Sequence, residues 1–170
     1  MQFLISMFLQ FGLAGALSVC GTQVPDKLDE VDFRVRTIGL GSAYSSMLRN
    51  FGKPISVARQ KITDETCAPA HTLLRLAYHG LRIELVGDIR GRDFRVVSME
   101  VRSPKLLVTP GIRIGMGEKA VRAKLGRPWR ETNEDGFRIL DYVTKGNEGG
   151  ARLYFGEGRL AKILWEYTAC

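Results

Sequence analysis

Histidine and cysteine are scarce in this chain: its 170 residues hold two of the first and three of the second. His71 and His79 stand apart, and no H-x-x-x-H, C-x-x-C or aspartate cluster offers metal-ligand spacing. No G-x-S-x-G elbow turns Ser42, Ser45 or Ser46 into a nucleophile, so these read as cap and surface positions. With no general acid and base pair in view, the sequence argues against an enzyme and calls for no cofactor or metal. A block of basic charge is missing too. The net charge of +7 comes from 25 basic and 18 acidic residues, interspersed. That is a solvated surface and not a nucleic-acid stripe, and its natural complement is an acidic protein partner, an enzyme or an envelope protein.

From Met1 to Val19 charge is absent altogether, and Phe, Leu, Ile and Met dominate. The run resembles the apolar core of a signal peptide more than a membrane span, being barely long enough to cross and ending in small residues. Ala14-Gly15-Ala16 suits a signal peptidase. Leu17-Ser18-Val19-Cys20 resembles a bacterial lipoprotein box, with Val19 departing from the small residue expected there. Residues 1–20 are therefore read as an export signal, with Cys20 as a candidate lipidation site, and 21–32 as a polar linker. Export places the protein in the periplasm, anchored to the outer membrane, or secreted, touching a membrane only through this N-terminal anchor. With Cys20 lipidated or removed, Cys67 and Cys170 form an even pair in an oxidising compartment and are expected to be bridged. Such a loop of roughly 100 residues is worth about 4 to 5 kcal/mol in the chain-entropy model. Two unpaired thiols are the alternative.

What the sequence does have is a repetition. Ile38 to Pro54, IGLGSAYSSMLRNFGKP, registers without a gap on Ile112 to Pro128, IRIGMGEKAVRAKLGRP, at an offset of 74 residues. Each copy is an apolar lead-in, a glycine, a short helical pattern and an apolar-Gly-basic-Pro stop. Ala120, Val121 and Leu125 give one helix its apolar stripe; Met47, Leu48 and Phe51 give the other. Ser42 or Ser45 can cap the first helix, and Gly52 and Gly126 suit left-handed C-terminal caps. After each helix come three strand-like runs: Thr72–Tyr78, Leu81–Val86 and Phe94–Arg102, then Phe137–Val143, Ala151–Phe155 and Leu160–Tyr167. Glu131, Glu134 and Asp135 read as an acidic loop. The expected fold is α+β: two tandem repeats, 33–102 and 112–170, joined by a linker over 103–111. Each repeat is a helix plus a three-stranded meander, and the six strands make one antiparallel sheet with both helices on one face.

Period-two alternation sorts the faces. Val97, Met99 and Val101, with Ile163, Trp165 and Tyr167, should pack on the helices. The other face then carries Arg82, Glu84, Glu100, Arg102, Arg152, Tyr154 and Glu166, either as a solubilising ladder or as a partner-binding surface. Trp165 reads as core; Trp129, outside the periodic pattern, is core, loop packing or an exposed anchor. Gly115 to Ala120 fits G-x-G-x-x-A, but a dinucleotide site needs a parallel βαβ unit, and an antiparallel meander follows this helix.

The doubled motif G-x5-[VM]-x3-[LF]-G-[KR]-P, each copy followed by a meander, resembles the β-lactamase-inhibitor-protein-like fold over Ile38 to Tyr167. The small lipoprotein of the outer-membrane barrel-assembly machinery is similar to one copy. The resemblance implies binding through the concave sheet face and adjoining loops, since these families share a scaffold and differ in ligand. Two functions follow as expectations. One is an exported binding protein that inhibits or neutralises an enzyme, as an immunity protein or hydrolase inhibitor does. The other is an envelope lipoprotein that scaffolds outer-membrane assembly or the cell wall.

Overall fold

Two short helices end where glycine lets them. The computed structural model describes residues 31–63, 70–144 and 149–167, and in it α1 spans Tyr44–Phe51 and α2 spans Glu118–Leu125. Each stops at a glycine of positive φ, 73° at Gly52 and 76° at Gly126. The capping N–H groups donate to Leu48 and Arg122 carbonyls at 2.9 Å, a turn that a side chain would strain. The helix starts depart from expectation. Ala43 and Gly117 are the N-caps, without side-chain caps. The Ser42 hydroxyl instead accepts the Gly39 N–H at 3.1 Å. Met47, Val121 and Leu125 are buried, while Leu48 and Ala120, expected on the apolar stripes, are exposed. The proposed export signal and the three cysteines lie outside the described residues.

Among the described residues the main sheet has eight strands where six were expected. They are β2 (Ser56–Ile62), β3 (His71–Tyr78), β4 (Leu81–Gly87), β5 (Arg95–Val101), β7 (Arg130–Glu134), β8 (Phe137–Val143), β9 (Gly149–Gly156) and β10 (Arg159–Tyr167). All pair antiparallel, in the order β2-β3-β4-β5-β10-β9-β8-β7. A separate pair, β1 (Arg34–Val35) with β6 (Val108–Thr109), joins the lead-in of α1 to the stretch expected to be a plain linker. The two added strands, β2 and β7, are the sheet's edges. Most of their side chains are exposed on both faces, so burial imposes no alternation for a sequence reading to detect. The supposed acidic loop is thus a strand holding Glu131 and Glu134. Only Asp135 turns, and it does so with Gly136 at φ of 49° and 77°, as a two-residue hairpin requires.

Each central strand carries an extra residue. In β5 the register skips Val97, and in β10 it skips Ala161. Such a bulge shifts every later side chain by one position. Val96, not Val97, is therefore the buried valine, with Leu160 as its counterpart in β10. Val96 accepts from Gly41 N–H at 2.8 Å and donates to Ser42 at 2.9 Å; Leu160 accepts from Gly115 at 2.7 Å and donates to Met116 at 2.8 Å. The residues just before each helix are held to the bulge in the same way.

One cluster forms the core. It takes Met47 from α1, Val121 and Leu125 from α2, and the buried apolar side chains of β3, β4, β5, β8, β9 and β10 apart from Ile139 of β8. Trp165 and Met99 face each other across the central β5–β10 pair, and Phe33 lies 6.0 Å from the Trp165 ring. An ion network ties α2 to the far edge. Arg122 reaches Glu118 at 2.8 Å and Glu131 at 2.9 Å, and Arg138 reaches Glu118 at 3.1 Å and Glu131 at 2.6 Å. The hydrogen bond from Arg122 holds the Glu131 carboxyl below its ordinary range.

Beside that network the buried Tyr142 hydroxyl donates to the Gly126 carbonyl at 3.3 Å, as Tyr78 does to Gly52 at 3.2 Å. Burial pushes the Tyr142 phenol from 10.0 up to about 12. A raised folded-state value means that this contribution to stability is full below pH 10 and is lost as pH rises toward 12. Unfolding midpoints measured across that window are expected to fall steeply in the parent and less steeply in Tyr142→Phe.

Candidate functional site: the sheet face away from the core

Alternation along the strands aims one set of side chains away from the core. In β4 Leu81, Ile83 and Leu85 are buried, and Arg82, Glu84 and Val86 point the other way. In β9 Ala151, Leu153 and Phe155 are buried, with Arg152 and Tyr154 opposite. Register places the expected residues together on this second face. Arg82 lies across from Glu100, Glu84 from Arg75, Arg152 from Asp141, and Glu166 from Ser98. Arg102 continues the row. Arg82 and Arg152 occupy matching positions relative to the bulges, whereas Glu100 matches Leu164 and not Glu166.

The two halves of the face differ in chemistry. Over β2 to β5 the charges answer one another. Arg75 holds Glu84 at 2.8 Å and Gln60 at 3.0 Å, and Arg102 holds Glu100 at 2.7 Å. The Glu100 carboxyl is the more buried partner; desolvation raises its pKa, but hydrogen bonding by Arg102 and the charges of Arg102, Lys162 and Arg82 outweigh that and lower it. Exposed pairs of this kind contribute about 0 to 1 kcal/mol each. In this half each of the carboxylates Glu84 and Glu100 is paired with an arginine.

Over β10, β9, β8 and β7 the face is aromatic and arginine-rich. The Tyr154 ring lies between Phe137, edge-on at 6.2 Å, and the Lys162 ammonium at 3.5 Å from its centre. Ile139, opposite Tyr154 in register, is fully buried on this side and lies outside the main core cluster. Asp141 is 4% exposed. Its two oxygens take Arg130 Nε at 2.8 Å and Arg152 Nε at 3.3 Å. Holding each guanidinium through Nε leaves terminal nitrogens on the surface, and one of Arg152's lies 3.6 Å from Glu134. Arg130 stacks on Trp129 at 5.0 Å, and that indole is 52% exposed. Trp129, Arg130, Asp141, Arg152 and Glu166 line a cleft of about 360 Å³, into which Gly150 places no side chain.

Trp, Tyr and Arg are the residues on which interface energy concentrates, and here all three gather with the arginines braced in place. Sequence reading placed Arg152, Tyr154 and Lys162 on this face and did not single out Asp141, Arg130 or Phe137, which the structure brings beside them. One signal for Asp141 was available: an aspartate inside the apolar run Ile139 to Val143, where strands seldom hold one. Trp129 resolves as exposed and Trp165 as core. Among the described residues no three His, Cys, Asp or Glu side chains converge as a metal site, and no helix is long and apolar enough to cross a membrane.

No family model matches the chain, and no curated protein matches it. Solved structures do. A cysteine-rich secretory protein from Staphylococcus aureus is similar at 12% identity and TM-score 0.52, over 83% of this chain and 47% of its own length. An extracellular protein containing an SCP domain from Bacillus anthracis is similar at 13% identity and TM-score 0.46, over 75% of this chain and 44% of its own. The chain thus spans under half the length of both. A candidate β-lactamase inhibitor protein from Streptococcus mutans is also among the neighbours, at 15% identity and TM-score 0.29. At these identities the likeness to the first concerns the fold alone.

Proposed function

We propose that this chain is an exported bacterial envelope protein that works by binding, without catalytic turnover, and that it inhibits or neutralises a partner enzyme. The site is the β10-to-β7 half of the open face. The observation that carries this is the pair of arginines held through Nε by the buried Asp141, beside exposed Trp129 and the Tyr154–Phe137 pair. Bracing a guanidinium before binding reduces the side-chain ordering that association otherwise costs. The terminal nitrogens, one of Arg152's already facing Glu134 at 3.6 Å, suit a partner's carboxylates, and a net charge of +7 speeds encounter with an acidic surface at low salt. On this reading the architecture is a duplicated unit, with equivalent strands meeting at β5–β10 and both helices on the core face. The matched bulges and the mirrored strand order support it. Residues 1–20 act as the export signal.

The test is capture of a partner from a bacterial envelope extract on the immobilised protein. An acidic partner is expected at low salt and should be lost as ionic strength rises. Capture that is indifferent to salt would count against this site.

A further inference from the structure

Charge is interspersed over the chain as a whole, but not over the first helix and the edge strand after it. From Phe33 to Thr63 the charged residues are Arg34, Arg36, Arg49, Lys53, Arg59 and Lys61, with no carboxylate before Asp64. All are exposed, and among the described residues only Arg34 has an ion-pair partner, Asp32 at 2.9 Å. The same stretch leaves aliphatic side chains in water: Ile55 is 62% exposed, Val57 54% and Leu48 37%. Alternation puts Val57, Arg59 and Lys61 on the helix side of β2. Val57 and Arg59 lie opposite the buried Leu76 and Leu74, and the Arg59 guanidinium stands over the Phe94 ring at 5.4 Å. The matching positions in the other half place Leu48 beside Val57. At the 74-residue offset these are Arg122 and Glu131, which meet at 2.9 Å. There an ion pair closes the gap between helix and edge strand; here two apolar side chains stand open, with Arg49 and Lys53 next in the chain.

The mixture of side chains says what would cover the patch. A second copy would set basic residues against basic residues. Protein interfaces are depleted in Lys, and Leu and Val are seldom their hot spots. Aliphatic side chains set among Lys and Arg suit an anionic lipid surface instead, where each basic residue near the headgroups adds to binding. We propose that the helix-side patch of α1 and β2 docks on an anionic phospholipid surface. This adds a contact of the folded part to the one expected of the N-terminal run. The outer edge of β2 has no strand partner, and unpaired backbone cannot enter hydrocarbon, so the contact stays at headgroup depth. Carboxylates on the β4–β5 connection do not cancel the patch. Asp88 is held by Arg92 at 3.0 Å, and Asp93 shares that connection with Arg90. The Asp141 site lies on the opposite face of the sheet, so lipid contact leaves it free.

Residues 1–20 are apolar enough to partition into any bilayer, so retention on vesicles decides nothing, and hydrogen exchange of the full chain is the readout. One set of vesicles holds equal parts of phosphatidylglycerol and phosphatidylcholine; the other holds phosphatidylcholine alone. On the anionic set the amides of β2 should exchange at least about fivefold more slowly, the worth of one basic residue at such a surface. Sodium chloride at about 0.5 M should abolish the difference. Lys53→Gln with Lys61→Gln should remove it as well. Lys119→Gln with Lys124→Gln lowers the net charge equally, on α2, and should keep it. Ile55→Ser with Val57→Ser should at least halve it, since aliphatic tips leave the headgroup boundary. Equal exchange on the two lipids, or equal losses in the two lysine pairs, would overturn the assignment. So would slowing of the same amides by polyglutamate with none by the vesicles, which would give the patch to an acidic protein. None of these results bears on capture of a protein partner by the other face.

Discussion

Trp165→Ala is expected to destabilise the protein by about 3 to 5 kcal/mol, the range for emptying a buried tryptophan site. The side chain is 1% exposed, packs against Phe33 at 6.0 Å and faces Met99 across the pair of strands that joins the halves of the sheet. Collapse around the void is restricted, since both flanking strands are interior to the sheet. A loss of this size is a large share of the roughly 5 to 15 kcal/mol that holds a domain folded. Urea unfolding followed by circular dichroism should show a much lower midpoint, and in a marginally stable parent no folded baseline at all. A change under about 1 kcal/mol would mean that the central seam is not the packed centre of the core.

Two adjacent glycines should behave in opposite ways. A Cβ on Gly149 would press into the Glu166 carbonyl oxygen and meet the carbon behind it at 3.1 Å, on the neighbouring strand β10. Backbone cannot swing aside as a side-chain tip can, so Gly149→Ala should cost about 2 to 3 kcal/mol, the upper range for overpacking. On Gly150 the nearest atom to a new Cβ is 3.8 Å away, an ordinary contact. Gly150→Ala should be neutral, or stabilise by about 0.4 to 1 kcal/mol by restricting the unfolded chain. Paired thermal unfolding of the two variants checks both signs at once.

Sequence reading worked wherever burial imposes a period or a turn imposes a glycine. The Gly-basic-Pro stops marked both helix ends, and the alternation Leu81-Ile83-Leu85 and Ala151-Leu153-Phe155 marked two inner strands and their faces. It failed where neither constraint acts. β2 and β7 expose side chains on both faces, so Ser56–Ile62 and Arg130–Glu134 offered no alternation. It failed also at the bulges. Strict period two buries Val97, whereas the extra residue in β5 turns Val96 inward and makes Glu100 the counterpart of Leu164. The site was half legible. The placement of Arg152 and Tyr154 followed from alternation, but what marks them as a candidate site is Asp141 under two arginines, a relation across strands that no spacing in the sequence records.

The central claim is that one half of the open face binds and the other solubilises. The most direct measurement compares partner affinity, by calorimetry or surface capture, for two double variants matched in size. One is Arg152→Ala with Tyr154→Ala; the other is Arg82→Ala with Glu100→Ala. The second should unfold close to the parent's temperature, since exposed ion pairs contribute little. The first takes one of two arginines from the buried Asp141 and should unfold lower, so affinities are compared at a temperature where circular dichroism shows both variants folded. The first should weaken binding at least about tenfold, beyond the roughly 1 kcal/mol that marks a hot spot, and the second less than about twofold. Equal losses in the two variants, or parental affinity in the first, would contradict the assignment of binding to the β10-to-β7 half.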